Sequence, residues 1–96
     1  MPKYAILMNY TDQGVRDVKA TAARTAENVK VFESMGGKVL GTYLAMGQYD
    51  ILAIGEAPSD EVAAAFLLKL GAAGNVKTST LKLFSFDEAA SFLEKV

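Results

Sequence analysis

The stretch from Lys38 to Glu56, KVLGTYLAMGQYDILAIGE, places the tightest limit on how this chain can fold. Two runs of β-branched, aromatic and aliphatic residues flank a short connection that contains Gly47, a pattern typical of a β-hairpin. With Gly47 and Gln48 at the tip, alternation along the two strands predicts two apolar faces. One face carries Val39, Tyr43, Leu52 and Ile54, and the other carries Leu40, Leu44, Met46, Ile51 and Ala53. A single layer of helices covers only one face, so the hairpin predicts self-association.

Apolar periodicity divides the rest of the chain into strands and helices. Strands are predicted at Lys3–Tyr10 and Val76–Phe84, both of which lack Gly and Pro. Helices are predicted from about Ala20 or Thr21 to Met35, from the Ser59 cap to about Leu70, and in a short segment after Ser85.

Turn formers and caps mark the ends of these elements. The segment Thr11–Lys19 opens with turn-forming residues and contains Gly14, so we expect it to leave the sheet before the long helix begins. Gly36 after the long helix supplies the left-handed conformation that ends a helix at low cost. Ser85 and Glu88 match the capping-box pattern and predict the start of a final helix.

The element order is β-α-β-β-α-β followed by a helix, an α+β arrangement typical of the ferredoxin-like sandwich. In this fold two helices pack on one face of the sheet and leave the opposite face bare. Pairing that face with a second copy removes apolar surface from water, at roughly 25 cal/mol per Å². We therefore predict a single domain over residues 1–96 that forms a homodimer or an assembly of dimers.

Composition excludes several classes of function. Ten Lys and Arg against eleven Asp and Glu give a net charge of −1, so no basic field exists for nucleic acid or an anionic membrane. The chain has no Cys and no His, which removes thiolate sites and the usual zinc and haem ligands, so no metal and no cofactor is predicted. No apolar run reaches the ~18 residues of a membrane span and no signal peptide is visible, so we expect a cytoplasmic protein.

Four fragments occur in order along the chain: Asn9–Gly14 (NYTDQG), Met35–Lys38 (MGGK), Gly47–Asp50 (GQYD) and Gly74–Leu81 (GNVKTSTL). Together they resemble the GYD domain family, over almost the whole chain. That family is similar to dimeric α+β barrels, in which the open sheets of two ferredoxin-like subunits meet and enclose a small cavity. The resemblance implies such a barrel, but the wider superfamily includes monooxygenases, isomerases, haem enzymes and amino-acid-sensing domains. The absence of His excludes a His-ligated haem here.

Asp50 is the best candidate for a catalytic residue. The hairpin register places it on the face with Tyr43 and Leu52, where a partly desolvated carboxylate could act as a base or hold a cation. The alternative is that Asp50 accepts backbone hydrogen bonds at the end of the hairpin. Polar residues on strands expected to flank the same cavity could orient a small ligand, or could line a wet interface or a sheet edge. The candidate ligand-binding residues are Asn9, Tyr43, Asp50, Thr78, Thr80 and Lys82.

The sequence leaves three functions open. We favour the first, small-molecule binding in a cavity between paired sheets. The second is a cofactor-independent enzyme, similar to an isomerase or a monooxygenase, with Asp50 as a perturbed carboxylate. The third is a structural assembly unit, in which the apolar outer face of the second long helix, formed by Ala64, Ala65 and Leu68, builds a larger ring.

Overall fold

A computed structural model describes residues 1–96 of the protein. One antiparallel sheet contains four strands in the order β2-β3-β1-β4. The strands are β1 (Lys3–Tyr10), β2 (Lys38–Leu44), β3 (Ile51–Glu56) and β4 (Val76–Leu83). The helices are α1 (Asp12–Arg16), α2 (Thr21–Ser34), α3 (Asp60–Ala72) and α4 (Phe86–Leu93). This order and topology agree with the predicted α+β, ferredoxin-like arrangement, with a helix added at the end.

The core lies between α2 and α3 and one face of the sheet. Tyr4 and Ile6 of the central strand β1 are buried there, together with Phe32 of α2 and Phe66 of α3. The rings of Phe32 and Phe66 meet in a tilted arrangement, with their centroids 4.8 Å apart. This contact joins the two helices above the middle of the sheet. None of the helices combines the length and the apolar composition that crossing a bilayer demands.

The hairpin register is confirmed close to the tip and is wrong farther away. Tyr43 pairs with Leu52, as predicted. A bulge between Val39 and Gly41 then shifts the pairing, so that Val39 lies opposite Gly55. Because the extra residue reverses the alternation of the strand, Val39 packs against the helix-side core instead of sharing a face with Tyr43.

The predicted element ends are close to the observed ones, with two differences. The segment after β1 is not a simple turn, because Thr11 caps the five-residue helix α1 by accepting a hydrogen bond from the N–H of Gly14 (3.0 Å). Helix α3 continues through Gly71 to Ala72, two residues past the predicted end. The capping box of Ser85 and Glu88 at the start of α4 is confirmed.

Candidate functional site

The face of the sheet that points away from α2 and α3 is largely apolar. The pairing of β1 with β3 and β4 places alternate residues of each strand on this bare face. Its apolar members are Ala5, Leu7, Leu52, Ile54, Leu81 and Leu83. Tyr43 of β2 lies opposite Leu52 on the same face, and the side chains of Tyr43 and Leu81 are 57% and 50% exposed.

The chain exposes more surface than its mass requires. Its accessible surface is 6314 Å², whereas a monomer of this mass exposes about 5,300 Å². Its radius of gyration is 14.4 Å, against about 12.5 Å for a compact chain of this length. The bare face of the sheet and α4 account for part of this excess, since Phe86 of α4 is 88% exposed. The surplus of about 1,000 Å² is similar to the ~800 Å² that each partner contributes to a standard interface.

The six predicted ligand-binding residues do not line one cavity. Asn9 and Tyr43 lie on the bare face, as expected. Thr78, Thr80 and Lys82 pair with Met8, Ile6 and Tyr4, and therefore lie on the helix side of the sheet. They therefore do not share the bare face with Asn9 and Tyr43, although their strand adjoins it. The antiparallel pairing of β1 with β4 places Leu81 and Leu83 on the bare face instead.

Asp50 has a clear structural role at the end of the hairpin. Its Oδ2 accepts a hydrogen bond from the backbone N–H of Tyr10 (2.9 Å). Its own backbone N–H donates to the carbonyl of Met8 (2.9 Å), and its carbonyl accepts from the N–H of Ala45 (2.8 Å). The interpretation that Asp50 accepts backbone hydrogen bonds is therefore confirmed. The residue joins the end of β1 to both strands of the hairpin.

The Asn9–Gly14 and Gly74–Leu81 fragments meet in the fold, where hydrogen bonds join the start of α1 to the turn before β4. The hydroxyl of Thr11 donates to the carbonyl of Gly74 (2.5 Å), and the N–H of Thr11 donates to the carbonyl of Asn75 (3.1 Å). Nε2 of Gln13 donates to Oδ1 of Asn75 (3.0 Å). A Cβ added to Gly14 would lie 1.9 Å from the carbonyl oxygen of Asn75, so only Gly allows this approach.

Tyr4, Asp60 and Lys82 form a polar cluster that the sequence analysis missed. The hydroxyl of Tyr4 donates to Oδ1 of Asp60, and Nζ of Lys82 lies 2.9 Å from Oδ2. Burial and the hydrogen bond to Asp60 raise the pKa of Tyr4 to about 12. The hydrogen bonds from Tyr4 and Lys82 lower the pKa of Asp60. The pairing of Tyr4 with Lys82 would have indicated the cluster, because Asp60 begins the helix that crosses these strands.

A groove of about 820 Å³ separates the N-terminal half of α2 from the hairpin, and we name it the α2 groove. Its walls include Tyr10, Thr21, Thr25, Ala26, Thr42 and Ile51. The groove is not predictable from the sequence, because helical periodicity shows which face of α2 is turned to the sheet but not how far the helix stands from it. No group of three acidic side chains that could hold a metal ion is found in the chain.

Comparison with known proteins places these features in context. The family model of the GYD domain matches residues 4–93 of the chain. A protein of Thermus thermophilus, described as a glutamine synthetase and cystathionine beta-lyase binding protein, is 31% identical over 83 residues. The matched region covers 85% of this chain and 87% of that protein.

Proposed function

The chain belongs to the GYD domain family, and from that premise we propose that it is an oligomeric protein that binds enzymes. Two copies pair through the bare face of the sheet, and the pair binds glutamine synthetase, cystathionine beta-lyase or enzymes of those classes. The observation that carries the proposal is the similarity to the Thermus thermophilus protein described as binding glutamine synthetase and cystathionine beta-lyase, which matches this chain over 85% of its length. The exposed apolar surfaces of this chain support it.

The excess of exposed apolar surface favours pairing of two copies through the bare face. Leu7, Leu52, Ile54 and Leu81 form a continuous apolar area on three adjacent strands. Covering about 800 Å² of mostly apolar surface on each copy would stabilise the pair substantially, since each Å² contributes roughly 25 cal/mol before the entropic cost of association. The same pairing would complete the dimeric α+β barrel that the motifs imply.

The outer face of α3 is the surface we assign to the enzyme partner. It lies on the far side of the helix layer from the bare face, so it stays accessible when the sheets pair. Leu68 is 76% exposed there, and Ala64 and Ala65 beside it are also exposed. An exposed large apolar side chain surrounded by small residues suits the buried centre of a protein interface.

Surface plasmon resonance with purified glutamine synthetase and cystathionine beta-lyase from the source organism tests this proposal. The wild-type protein should bind at least one of them saturably, and Leu68→Glu should weaken binding at least tenfold. Asp17→Asn, an exposed change outside α3, is the control and should bind normally. If neither enzyme binds the wild-type protein, the proposal fails.

Small-molecule binding between the paired sheets is the second candidate. Asn9 and Tyr43 supply polar groups on an otherwise apolar face, and Asp50 lies at the adjoining hairpin end. Thr78, Thr80 and Lys82 would take no part, because they lie on the helix side. Native mass spectrometry of protein purified from its own source tests this candidate. An even-numbered assembly with additional bound mass would support it, and an assembly of bare chains would count against it.

A cofactor-independent enzyme with Asp50 as its base draws less support from the geometry. One oxygen of that carboxylate accepts a hydrogen bond from the N–H of Tyr10, so the side chain already has a structural partner.

A structural assembly unit that forms a ring through Leu68 would use the same surface as the enzyme partner. The number of subunits in Leu68→Glu separates these two uses, because only ring assembly would lower it.

A further inference from the structure

The α2 groove has the size and the lining of a small-molecule site, and it lies on the opposite side of the sheet from the bare face. A second recess of about 280 Å³ extends toward the end of α3 and shares Tyr10, Thr21, Thr25 and Ile51 with the groove. Sites for small molecules are typically clefts of about 300–1,000 Å³ with apolar walls and a few polar groups. Both properties are present here.

The groove exists because the two halves of α2 carry different side chains on the same helix face. Phe32, in the C-terminal half, is buried against the core and holds that end of the helix to the sheet. Thr21, Thr25 and Asn28 occupy the equivalent positions in the preceding turns, since residues three and four apart share a helix face. These side chains are too short to fill the space above Ile51, so this end of α2 stands away from the hairpin.

Hydrogen bonds fix which way the hydroxyl of Tyr10 points. The hydroxyl of Thr21 donates to the carbonyl of Val18 (2.6 Å), which uses its only proton. The contact between Oη of Tyr10 and Oγ1 of Thr21 (2.6 Å) must therefore be donated by Tyr10. Oη of Tyr10 then has lone pairs and no proton to offer, so it is an acceptor in the wall of the groove.

Other polar groups beside Tyr10 are also open to hydrogen bonding. Of the neutral polar side chains near this end of α2, Thr21 bonds to the chain, whereas Thr25 of the groove and Asn28 of the adjoining recess have no hydrogen-bond partner in it. The charged residues of the groove, Lys19, Lys30 and Glu33, are exposed and lie at its outer edge. The inner wall is therefore neutral, with a fixed acceptor at Tyr10 and an apolar floor at Ile51.

We propose that the α2 groove binds an uncharged small molecule that has an apolar body and a hydroxyl or N–H donor directed at Oη of Tyr10. The apolar body covers Ile51, Thr25 bonds to a further polar atom of the ligand, and Asn28 is available from the adjoining recess. This site does not depend on the enzyme partner or on pairing of the bare faces.

Phenol and anisole form a matched pair of probes, because they differ in the O–H donor. In ¹H–¹⁵N correlation spectra, phenol should cause saturable shifts in residues 21–30 and at Ile51, and should bind about fivefold more tightly than anisole, which reflects one hydrogen bond. In Tyr10→Phe this preference should disappear. Absence of saturable shifts in the groove with phenol would overturn the proposal, as would equal affinity for the two probes in the wild-type protein.

Filling the groove supplies a test that leaves the core untouched. Ala26 is an exposed wall residue of α2, so Ala26→Trp should abolish the phenol shifts while the protein remains folded. Ala65→Trp, on the outer face of α3, is the matched control and should bind phenol normally. Unchanged phenol binding by Ala26→Trp would overturn the proposal. A smaller number of subunits in native mass spectra of Ala26→Trp would also overturn it, because another copy of the chain would then occupy the groove.

Discussion

The hydroxyl of Tyr4 donates a hydrogen bond to the carboxylate of Asp60, and this contact ties the central strand of the sheet to the first turn of α3. Lys82, which pairs with Tyr4 across β1 and β4, supports the same carboxylate from the neighbouring strand. The side chain of Asp60 thus fixes the start of α3 to two strands. The same contacts help to position the outer face of α3, which we assign to a partner.

Removing the hydroxyl in Tyr4→Phe should lower the free energy of unfolding by about 1 kcal/mol, because the change removes a hydrogen bond to a charged group while keeping the buried ring. Tyr43→Phe is the control, since Tyr43 is exposed and its hydroxyl has no partner in the chain, and it should change stability by less than about 0.5 kcal/mol. Urea denaturation measures both. Equal effects of the two changes would show that the Tyr4 hydroxyl contributes nothing.

The same cluster predicts how stability depends on pH. The pKa of Tyr4 is raised from 10.0 to about 12 on folding, so its contribution is complete below pH 10 and is lost as pH rises toward 12. The pKa of Asp60 is lowered from 3.8, so its contribution is present above that pH and declines as pH falls below it. Urea denaturation from pH 9 to 12 should show a loss of stability in the wild-type protein that is smaller in Tyr4→Phe. Parallel curves would contradict this assignment.

Gly14 and Gly71 should respond in opposite ways to Ala. A Cβ at Gly14 would overlap the carbonyl of Asn75, so Gly14→Ala should lower the free energy of unfolding by about 3 kcal/mol. No atom lies within 4 Å of a Cβ at Gly71, which is helical, so Gly71→Ala should raise it by about 0.5 kcal/mol. Thermal denaturation of both variants checks the pair. A mild effect at Gly14 would mean that the turn before β4 can move away.

Thr80 should be replaceable by Val with a gain in stability. Its hydroxyl is buried on the helix side of the sheet and is the one buried side-chain polar atom without a hydrogen-bond partner. Thr80→Val keeps the shape and removes that group, so we expect a gain of about 1 kcal/mol in urea denaturation. Thr78→Val, two residues away on the same face, should be nearly neutral, because the hydroxyl of Thr78 is not a buried atom without a partner. A loss of stability in Thr80→Val would show that the hydroxyl has a role that the fold does not explain.

Two substitutions of Asp50 separate the contribution of its hydrogen bond from that of its negative charge. Asp50→Ala leaves the N–H of Tyr10 without its acceptor and should lower stability by about 1 kcal/mol. Asp50→Asn keeps an oxygen that can accept the same bond, so it should cost clearly less. If both variants lose the same stability, the negative charge matters more than the hydrogen bond.

The sequence predicts most of this fold, and the misses have physical causes. The apolar run of β1 and the tip of the hairpin are determined by local pattern, so Lys3–Tyr10 and the pairing of Tyr43 with Leu52 were predicted correctly. No local sequence pattern indicates the bulge after Val39. The bulge moves the side chains on its far side to the opposite face of the sheet. Which of Thr80 and Leu81 points into the core depends on which side of the sheet the helices occupy. In a chain whose bare face is itself apolar, hydrophobicity does not distinguish the two sides.

Leu81→Glu should convert the protein from paired copies to single chains. Leu81 lies on the bare face in the edge strand β4 and is already 50% exposed in one chain, so the change leaves the helix-side core intact but places a charge where two apolar faces would meet. In sedimentation velocity the wild-type protein should behave as a dimer or a multiple of dimers, and Leu81→Glu as a monomer. Its melting temperature should also lack the concentration dependence that pairing would give the wild-type protein. Leu68→Glu, an equally conspicuous change on α3, should keep the paired state. A wild-type monomer, or a Leu81→Glu variant that still pairs, would show that the bare face is not the surface through which the copies associate.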